Sequence, residues 1–271
     1  MGLKIRLLLT NKCTARCSYC HNEGQGAGGN LLPLSTICHL LDTLATYGCQ
    51  PSEIVLSGGE PTLHRQLAEI ARLCKQSGAH VSLATHGGHP ELLAPALPYL
   101  DEIKLHIDAF DPVQQRASMG IELDAALESA RLARQYPLAL CCNHPLRNSV
   151  EALHYLADTR AAGIDCKMIE WFDRPAAGPT LAQMDWAAAG YQPQSCGQWL
   201  HENGRHRLLT KRCTSRHNGR HTLFVGTDGI RRSLGGVLLG PAAGFHMGML
   251  HTDKHCSLTR PLTKPPLNSV I

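Results

Sequence analysis

Residues 5–24 read IRLLLTNKCTARCSYCHNEG, an apolar run that passes directly into Cys13, Cys17 and Cys20. With twelve cysteines in 271 residues, a CxxxCxxC triplet arises by chance in about two sequences in a hundred. A structural zinc wants four closing ligands, and a disulfide would leave one thiol over. Three thiolates on a tight loop suit three irons of a [4Fe–4S] cluster and leave the fourth iron open to an outside ligand.

The pattern of that opening segment, a short apolar run ending in polar residues, returns along the chain. KIRLLLT (4–10), EIVLS (53–57), HVSLAT (80–85), EIKLHID (102–108), LALCCN (138–143) and CKMIEW (166–171) each read as a strand buried on both faces. Between them lie stripes at helical spacing. Ile37, Leu40, Leu41 and Leu44 follow Ser35, placed as an N-cap. Leu67, Ile70, Ala71 and Cys74 are closed by Gly78, and Val150, Leu153, Leu156 and Ala157 by Gly163. Six βα units in succession predict an α/β fold with a parallel sheet and right-handed crossovers, curved into a barrel or part of one. In such sheets ligand sites form at the carboxyl ends of strands, and Cys13 sits just past the first.

Two later strands end in the same region of the fold. EIVLSGGEP puts Gly58 and Gly59 where a backbone can approach a ligand closely, with Glu60 beside them and Pro61 stiffening the turn. HVSLATHGG ends in Thr85, His86 and two glycines.

Taken as a set, CxxxCxxC with Tyr19 before its last cysteine, GGEP, and a strand ending T-H-G resemble the radical S-adenosylmethionine superfamily. CHNEG, EIKLHIDAF and CKMIEWF are most similar to its MoaA branch, the GTP 3′,8-cyclases, over roughly residues 4–173. The resemblance implies a partial (β/α)6 TIM-like barrel over residues 1–173. It places residues 174–271 in a small irregular extension on the substrate side, with a β-hairpin in HTLFVGTDGIRRSL. It further implies that Cys13, Cys17 and Cys20 hold a [4Fe–4S] cluster whose open iron chelates S-adenosylmethionine. Reductive cleavage would give methionine and a 5′-deoxyadenosyl radical that takes hydrogen from substrate; the protein's share is positioning and exclusion of water. Tyr19 would contact adenine through its backbone, and Gly58, Gly59 and Glu60 would receive the methionyl ammonium. His106 and Asp108 would lie near the ribose or carboxylate, Phe172 near the adenine, and Thr85 toward the substrate side.

Departures from the branch matter as much. TDGIRRSL matches its D-G turn, but Leu234 stands where a cysteine of its second cluster belongs, and no CxxC occurs in the C-terminal half. Val55 and Ala139 stand where that branch carries basic residues. These differences argue against GTP 3′,8-cyclisation and for a cluster-free extension. A second cluster on Cys166, Cys196, Cys213 or Cys256 would need unfamiliar spacing. Cys38, Cys49 and Cys74 read as small core residues, and one of Cys141 and Cys142 is expected to face the barrel interior, with a hydrogen-donating or redox role open to it.

Net charge is +4, but Arg205, Arg207, Lys211, Arg212, Arg216, Arg220, Arg231 and Arg232 crowd one window against Glu202 and Asp228. Such a patch attracts anions. Arg212, Arg220 and Arg231 are therefore expected on the substrate side, and the substrate is expected to be a nucleotide, sugar nucleotide or phosphorylated metabolite. His86 and Asn143, which end strands at the predicted mouth, are expected either to touch it or to serve the turns. Nothing precedes the first strand, so no leader-peptide recognition domain is expected. CSYCHN also resembles the activating enzymes of glycyl-radical proteins, which makes a partner protein, or a peptide, the alternative substrate. A structural zinc on the triplet would leave GGEP and the βα rhythm without a purpose. No run approaches the ~18 apolar residues of a membrane span, and the first ten residues lack a cleavage site. An oxygen-sensitive cytoplasmic enzyme is expected, with thiols reduced or metal-bound, no nucleic-acid polymer as partner, and flavodoxin or ferredoxin as electron donor.

Overall fold

A computed structural model describes residues 3–18, 20, 28–170, 179–195, 197–212, 222–227, 229–234 and 237–239, with backbone alone at 212, 222, 229–234 and 237–239. Its centre is Leu3–Leu8 (β1), Pro51–Ser57 (β2), His80–Thr85 (β3), Glu102–Leu105 (β4), Ala139–Leu146 (β5) and Asp165–Glu170 (β6). The helices between them are Leu34–Thr46 (α1), Leu67–Gln76 (α2), the short Pro90–Leu93 (α3), Pro112–Met119 (α4), Leu123–Ala133 (α5) and Ser149–Ala161 (α6). All six strands run parallel in sequence order. This matches the α/β fold class read from the sequence.

The later segments extend the same sheet at both ends. Tyr191–Ser195 (β7), Gln198–His201 (β8) and Arg207–Arg212 (β9) add beyond β6, with β9 parallel to it. Thr222–Gly226 (β10), Gly229–Leu234 (β11) and Val237–Leu239 (β12) add beyond β1, with β10 parallel to it. The expected hairpin is β10–β11, turning between the paired Gly226 and Gly229. The sheet runs from β12 to β7 without closing among the described residues. It is nevertheless strongly curved. Lys4 on β1 feels the charge of Lys211 on β9, although six strand spacings of ~4.8 Å would separate them by ~29 Å in a flat sheet.

Curvature gives the strands two unlike faces. Ile5, Leu7, Ile54, Leu56, Val81, Leu83, Ile103, Leu105, Cys166 and Met168 are buried in the main apolar core. Each fully buried Leu or Ile contributes about 1.5–3 kcal/mol. The alternate residues Lys4, Arg6, Glu53, Ser82, Lys104, Cys141, Asn143 and Lys167 line the concave face. There Lys4 Nζ meets Glu53 Oε1 at 2.7 Å and Lys104 Nζ meets Glu102 Oε2 at 2.9 Å. Val55, Ser82, Lys104 and Cys141 are buried on this face as well. The strands are thus buried on both faces as expected, with the concave face of mixed rather than uniformly apolar character.

Two local expectations also change. Ser35 lies in the first turn of α1 and does not cap it. Pro33 is the N-cap, its extended backbone (φ −61°, ψ 139°) turning its carbonyl to Thr36 and Ile37. Cys49 is buried as expected but disulfide-bonded, whereas no pairing was expected. No helix among the described residues is long and apolar enough to cross a membrane.

Candidate active site at the carboxyl ends of the strands

The triplet loop leaves β1 at Leu9, whose N–H still reaches Ser57 O on β2 at 2.8 Å. The ladder then continues past the end of β2. Gly59 N–H donates to Thr10 O at 2.7 Å and Glu60 N–H to Lys12 O at 2.8 Å. A Cβ on Gly58 would collide with the Thr10 carbonyl oxygen, and one on Gly59 with that of Lys12. Gly58 also holds φ +135°, a conformation that L side chains rarely adopt. Both glycines are thus required for backbone to lie directly on backbone, which fixes the loop up to Lys12, the residue before Cys13.

Glu60 is fully buried and saturated with donors. Its Oε1 accepts from Thr62 N at 3.0 Å, Thr62 Oγ1 at 2.7 Å and Thr85 Oγ1 at 2.6 Å, and its Oε2 from His86 N at 2.9 Å. A buried carboxylate is tolerable only with such partners. The Thr85 hydroxyl in turn accepts from Gly87 N at 3.0 Å. One carboxylate therefore joins the carboxyl ends of β2 and β3.

His86 carries the connection back to the loop. Its Nδ1 accepts from Gly88 N–H at 2.9 Å, which assigns the ring proton to Nε2. That Nε2 lies 3.2 Å from Glu60 Oε2 and 3.1 Å from Thr14 Oγ1, between the first two cysteines. Thr14 Oγ1 also lies 2.9 Å from His89 Nε2. Burial lowers the pKa of His86, with Glu60 opposing and His89 reinforcing. The ring is held neutral, as its hydrogen-bond pattern requires.

On the far side of the loop, Arg16 N–H donates to Met119 O at the end of α4 at 2.8 Å. Gln115 on the same helix is fully buried and accepts from the N–H groups of Asp108 (2.8 Å) and Ala109 (3.1 Å). The Asp108 carboxylate pairs with Arg147, which also reaches Glu151 at 3.0 Å. His106 N–H donates to Thr85 O at 2.9 Å. Burial, opposed by Asp108 and reinforced by His144 and Arg147, pushes His106 down to about 4.

The cysteines themselves sit at the open end. Cys13 and Cys20 are exposed and Cys17 is half-buried. Cys13 Sγ accepts from Ala15 N at 3.4 Å, and Cys20 N–H donates to Cys17 O at 3.1 Å. Partial burial holds the Cys13 thiol above its ordinary value despite the Ala15 donor, and the charges of Glu60 and Cys20 add to this. Metal binding there must release the proton. Among the described residues no three His, Cys, Asp or Glu side chains already stand in metal-holding geometry. Three soft sulfur donors on a loop anchored on both sides fit an iron–sulfur cluster with one iron unliganded by protein.

A family model described as the Radical SAM superfamily matches residues 7–146, more than half of the chain. The chain belongs to the radical SAM superfamily. It is 30% identical over 141 residues to a probable GTP 3′,8-cyclase of Pyrococcus horikoshii, covering 50% of this chain and 45% of that one. It is 32% identical over 122 residues to an S-adenosylmethionine-dependent nucleotide dehydratase of Selenomonas ruminantium, covering 41% of each. The chain thus spans less than half the length of these two relatives. Among solved structures it is similar in fold to Streptococcus suis SuiB bound to S-adenosylmethionine, with TM-score 0.65, 12% identity, and coverage of 96% of this chain and 64% of that one. These findings agree with the MoaA-like branch. The relatives named as cyclases leave the expectation against GTP cyclisation unsupported by the comparisons.

Radical SAM membership implies a [4Fe–4S] cluster and S-adenosylmethionine, and the structure brings together the three cysteines, Gly58, Gly59, Glu60, Thr85 and His86 around one loop. His106 and Asp108 follow at the end of β4. Asn143 lies in the lumen on β5, and Arg212 and Arg231 are placed only by backbone, in β9 and β11. Tyr19, Phe172 and Arg220 lie outside the described residues, as do Cys196, Cys213 and Cys256. Cys141 faces the lumen, 3.9 Å from Glu102 Oε1, and burial raises it to about 11. Cys142 and Cys166 face α6 and are fully buried, which removes Cys166 from reach of a lumenal cluster. Gln115, Arg147, Thr14 and Lys167 escaped the sequence reading. Of these, Lys167 had a signal: it is the one cationic residue in the apolar run CKMIEW.

Proposed function

We propose that this chain cleaves S-adenosylmethionine reductively and uses the resulting radical on a small anionic molecule, a nucleotide, sugar nucleotide or phosphorylated metabolite. The observation that carries the first half is the backbone ladder from Thr10 and Lys12 to Gly59 and Glu60, which binds the triplet loop to the GGEP turn. When bound, a cluster ligated by Cys13, Cys17 and Cys20 supplies the electron that breaks the sulfonium bond and yields a 5′-deoxyadenosyl radical. The chain's own residues position the reactants. The Gly59 and Glu60 amides are spent on the loop, and the Glu60 carboxylate on its four donors. The carbonyls of Gly58 and Gly59, which accept no hydrogen bond among the described residues, are left to receive the methionyl ammonium. Glu60, Thr85 and His86 hold the turn that aims them. His106, neutral near pH 7, and Asp108, fixed by Arg147 and Gln115, face the ribose side.

An anionic substrate is supported by the cationic lumen and by the nucleotide-directed names of relatives. An auxiliary cluster is not part of this reading, nor is GTP the substrate, because Leu234 replaces the cysteine after the D-G turn. Anaerobic reconstitution followed by reduction tests the first half: the expected result is at least three irons per chain and release of 5′-deoxyadenosine. Incubation with GTP and a panel of nucleotides tests the second. Deuterium transfer from a nucleotide other than GTP supports it, while 3′,8-cyclised GTP, or transfer only from a peptide, overturns it.

A further inference from the structure

One ring on the outer face of the sheet has a hydrogen-bonding capacity that the fold does not use. His144 on β5 is fully buried against α6, stacked on Tyr155 with ring centroids 3.8 Å apart and planes at 18°. Neither its Nδ1 nor its Nε2 has a hydrogen-bond partner among the described residues. Nε2 stops 3.4 Å from Glu151 Oε1, beyond the ~3.2 Å of a made N–H···O bond. Packing alone does not call for this residue. Phenylalanine would keep the stack and leave no buried nitrogen unpaired, a state that costs stability.

The oxygen that the ring faces is already in use. Glu151 Oε1 accepts from Arg147 Nη1 at 3.0 Å, while Glu151 Oε2 accepts from Asn148 Nδ2 at 2.8 Å. Arg147 is itself divided, with Nη1 on Glu151 and Nη2 on the buried Asp108. A guanidinium holds a carboxylate most firmly through two parallel N–H···O bonds. Arg147 can close on Asp108 in that way only by giving up Glu151. Glu151 then needs another donor, and the His144 ring stands beside it. The ring already acts on that carboxyl: it lowers Glu151 ahead of Arg147, with burial and Asp108 opposing.

We propose that His144 is a positioning residue for the S-adenosylmethionine site: it takes Glu151 from Arg147 when the ligand seats, so that Arg147 closes on Asp108 through both nitrogens and fixes it toward the ribose. This rests on the proposed reading in which Asp108 faces the ribose side. His144, Glu151, Arg147 and Asp108 form one line of contacts from the outer face of β5 to the carboxyl end of β4. Without the ring, Glu151 has no alternative donor there and keeps Arg147 divided.

The test is calorimetric titration of S-adenosylmethionine into the anaerobically reconstituted holoenzyme, with His144→Phe, His144→Gln, Glu151→Ala and the double variant of His144→Phe with Glu151→Ala. His144→Phe keeps the stack on Tyr155 and is expected to weaken binding by about fivefold or more, within the coupling found among residues of one network. His144→Gln carries an N–H at the place of Nε2 and is expected to bind like the wild type. In the Glu151→Ala background, His144→Phe is expected to change nothing further. Unchanged binding in His144→Phe overturns the proposal. So does an equal loss in His144→Gln, or a loss that persists without Glu151, since either marks a packing role. Ligand-free His144→Phe should melt no lower than the wild type; a lower Tm would reveal ring nitrogens that folding already uses, and overturns the proposal too. Absence of S-adenosylmethionine binding by the wild type defeats the enzyme reading and this inference with it, whereas wild-type affinity in His144→Phe defeats the positioning role alone.

Discussion

Glu60 and His86 stand 26 residues apart and meet in one buried contact, the carboxylate accepting the His86 backbone N–H at 2.9 Å while facing its ring Nε2 at 3.2 Å. The same Nε2 reaches Thr14 in the triplet loop. Two strands and the cysteine loop are thereby held by a single acidic side chain that itself touches no cysteine ligand. Its position inside GGEP is explained by this duty as a positioning residue.

Glu60→Gln keeps the volume but turns an amide donor toward Thr85 Oγ1 or the His86 N–H. Leaving one buried donor unsatisfied costs about 1–3 kcal/mol. The expected outcome is a drop of that size in urea-unfolding free energy, together with lower iron retention on gel filtration. Unchanged stability and unchanged iron would show that Glu60 does not position the loop.

Gly59→Ala places a methyl into the Lys12 carbonyl, and Gly58→Ala one into that of Thr10. Backbone cannot give way cheaply, so both variants should lose more than ~2 kcal/mol and fail to bind iron. Gly48→Ala is the control: it has a positive φ of +66° but nothing within 4 Å, so it should cost only about 1 kcal/mol and leave iron binding intact. Chemical denaturation with iron analysis on all three decides the matter. A loss at Gly59, which has no positive φ, no larger than that at Gly48 would show that the loop contact does not govern the turn.

Cys17→Ala removes the middle thiol from a loop whose anchors at Thr10, Lys12, Thr14 and Arg16 lie outside its side chain. The fold should persist, with far-ultraviolet circular dichroism unchanged. Broad visible absorbance and reductive release of 5′-deoxyadenosine should both disappear. Retained release of 5′-deoxyadenosine would sink the cluster assignment.

How much of the fold and site was legible in the sequence follows from where each signal resides. The six strands were, because runs such as EIVLS and HVSLAT put Ile54, Leu56, Val81 and Leu83 into the apolar core. Burial of their second face was legible too, at Val55 and Ser82, but its polar share was not drawn from the alternation Lys4-Ile5-Arg6-Leu7, because an apolar run draws attention away from the charges within it. The later strands were mostly missed: YQPQS in β7 is polar and contains Pro193, which marks an edge strand and gives little pattern to read. Cys13, Gly58 and Glu60 could be found because their chemistry is local to a motif. Gln115 and Arg147 could not, since their roles exist only once α4 and α6 have packed against the end of β4.

Acid should weaken this fold in two stages, and the sign follows from the direction of each shift. His106 has a folded pKa of about 4 against an ordinary value of 6.5. Between those values the unfolded chain binds the extra proton, so stability is full above about 6.5 and falls as the pH drops toward 4. Burial alone would raise Glu53, but Lys4 and Lys104 outweigh it and hold the carboxyl at about 2, against an ordinary 4.5. Its contribution is full above about 4.5 and is lost as the pH falls toward 2. Each stage is on the order of 2 kcal/mol once solvent screening is allowed for. Urea midpoints measured from pH 7.5 to 3 should therefore decline in the wild type from about pH 6.5 downward. His106→Asn should make the limb between 6.5 and 4 shallower while leaving the steeper fall below 4.5 in place. The slope that persists in the upper limb comes from His64, His86 and His206, which burial also lowers. A wild-type profile that is level from 6.5 to 4.5 would show that His106 is not held neutral by its surroundings, and would remove it from the ribose-side position assigned to it.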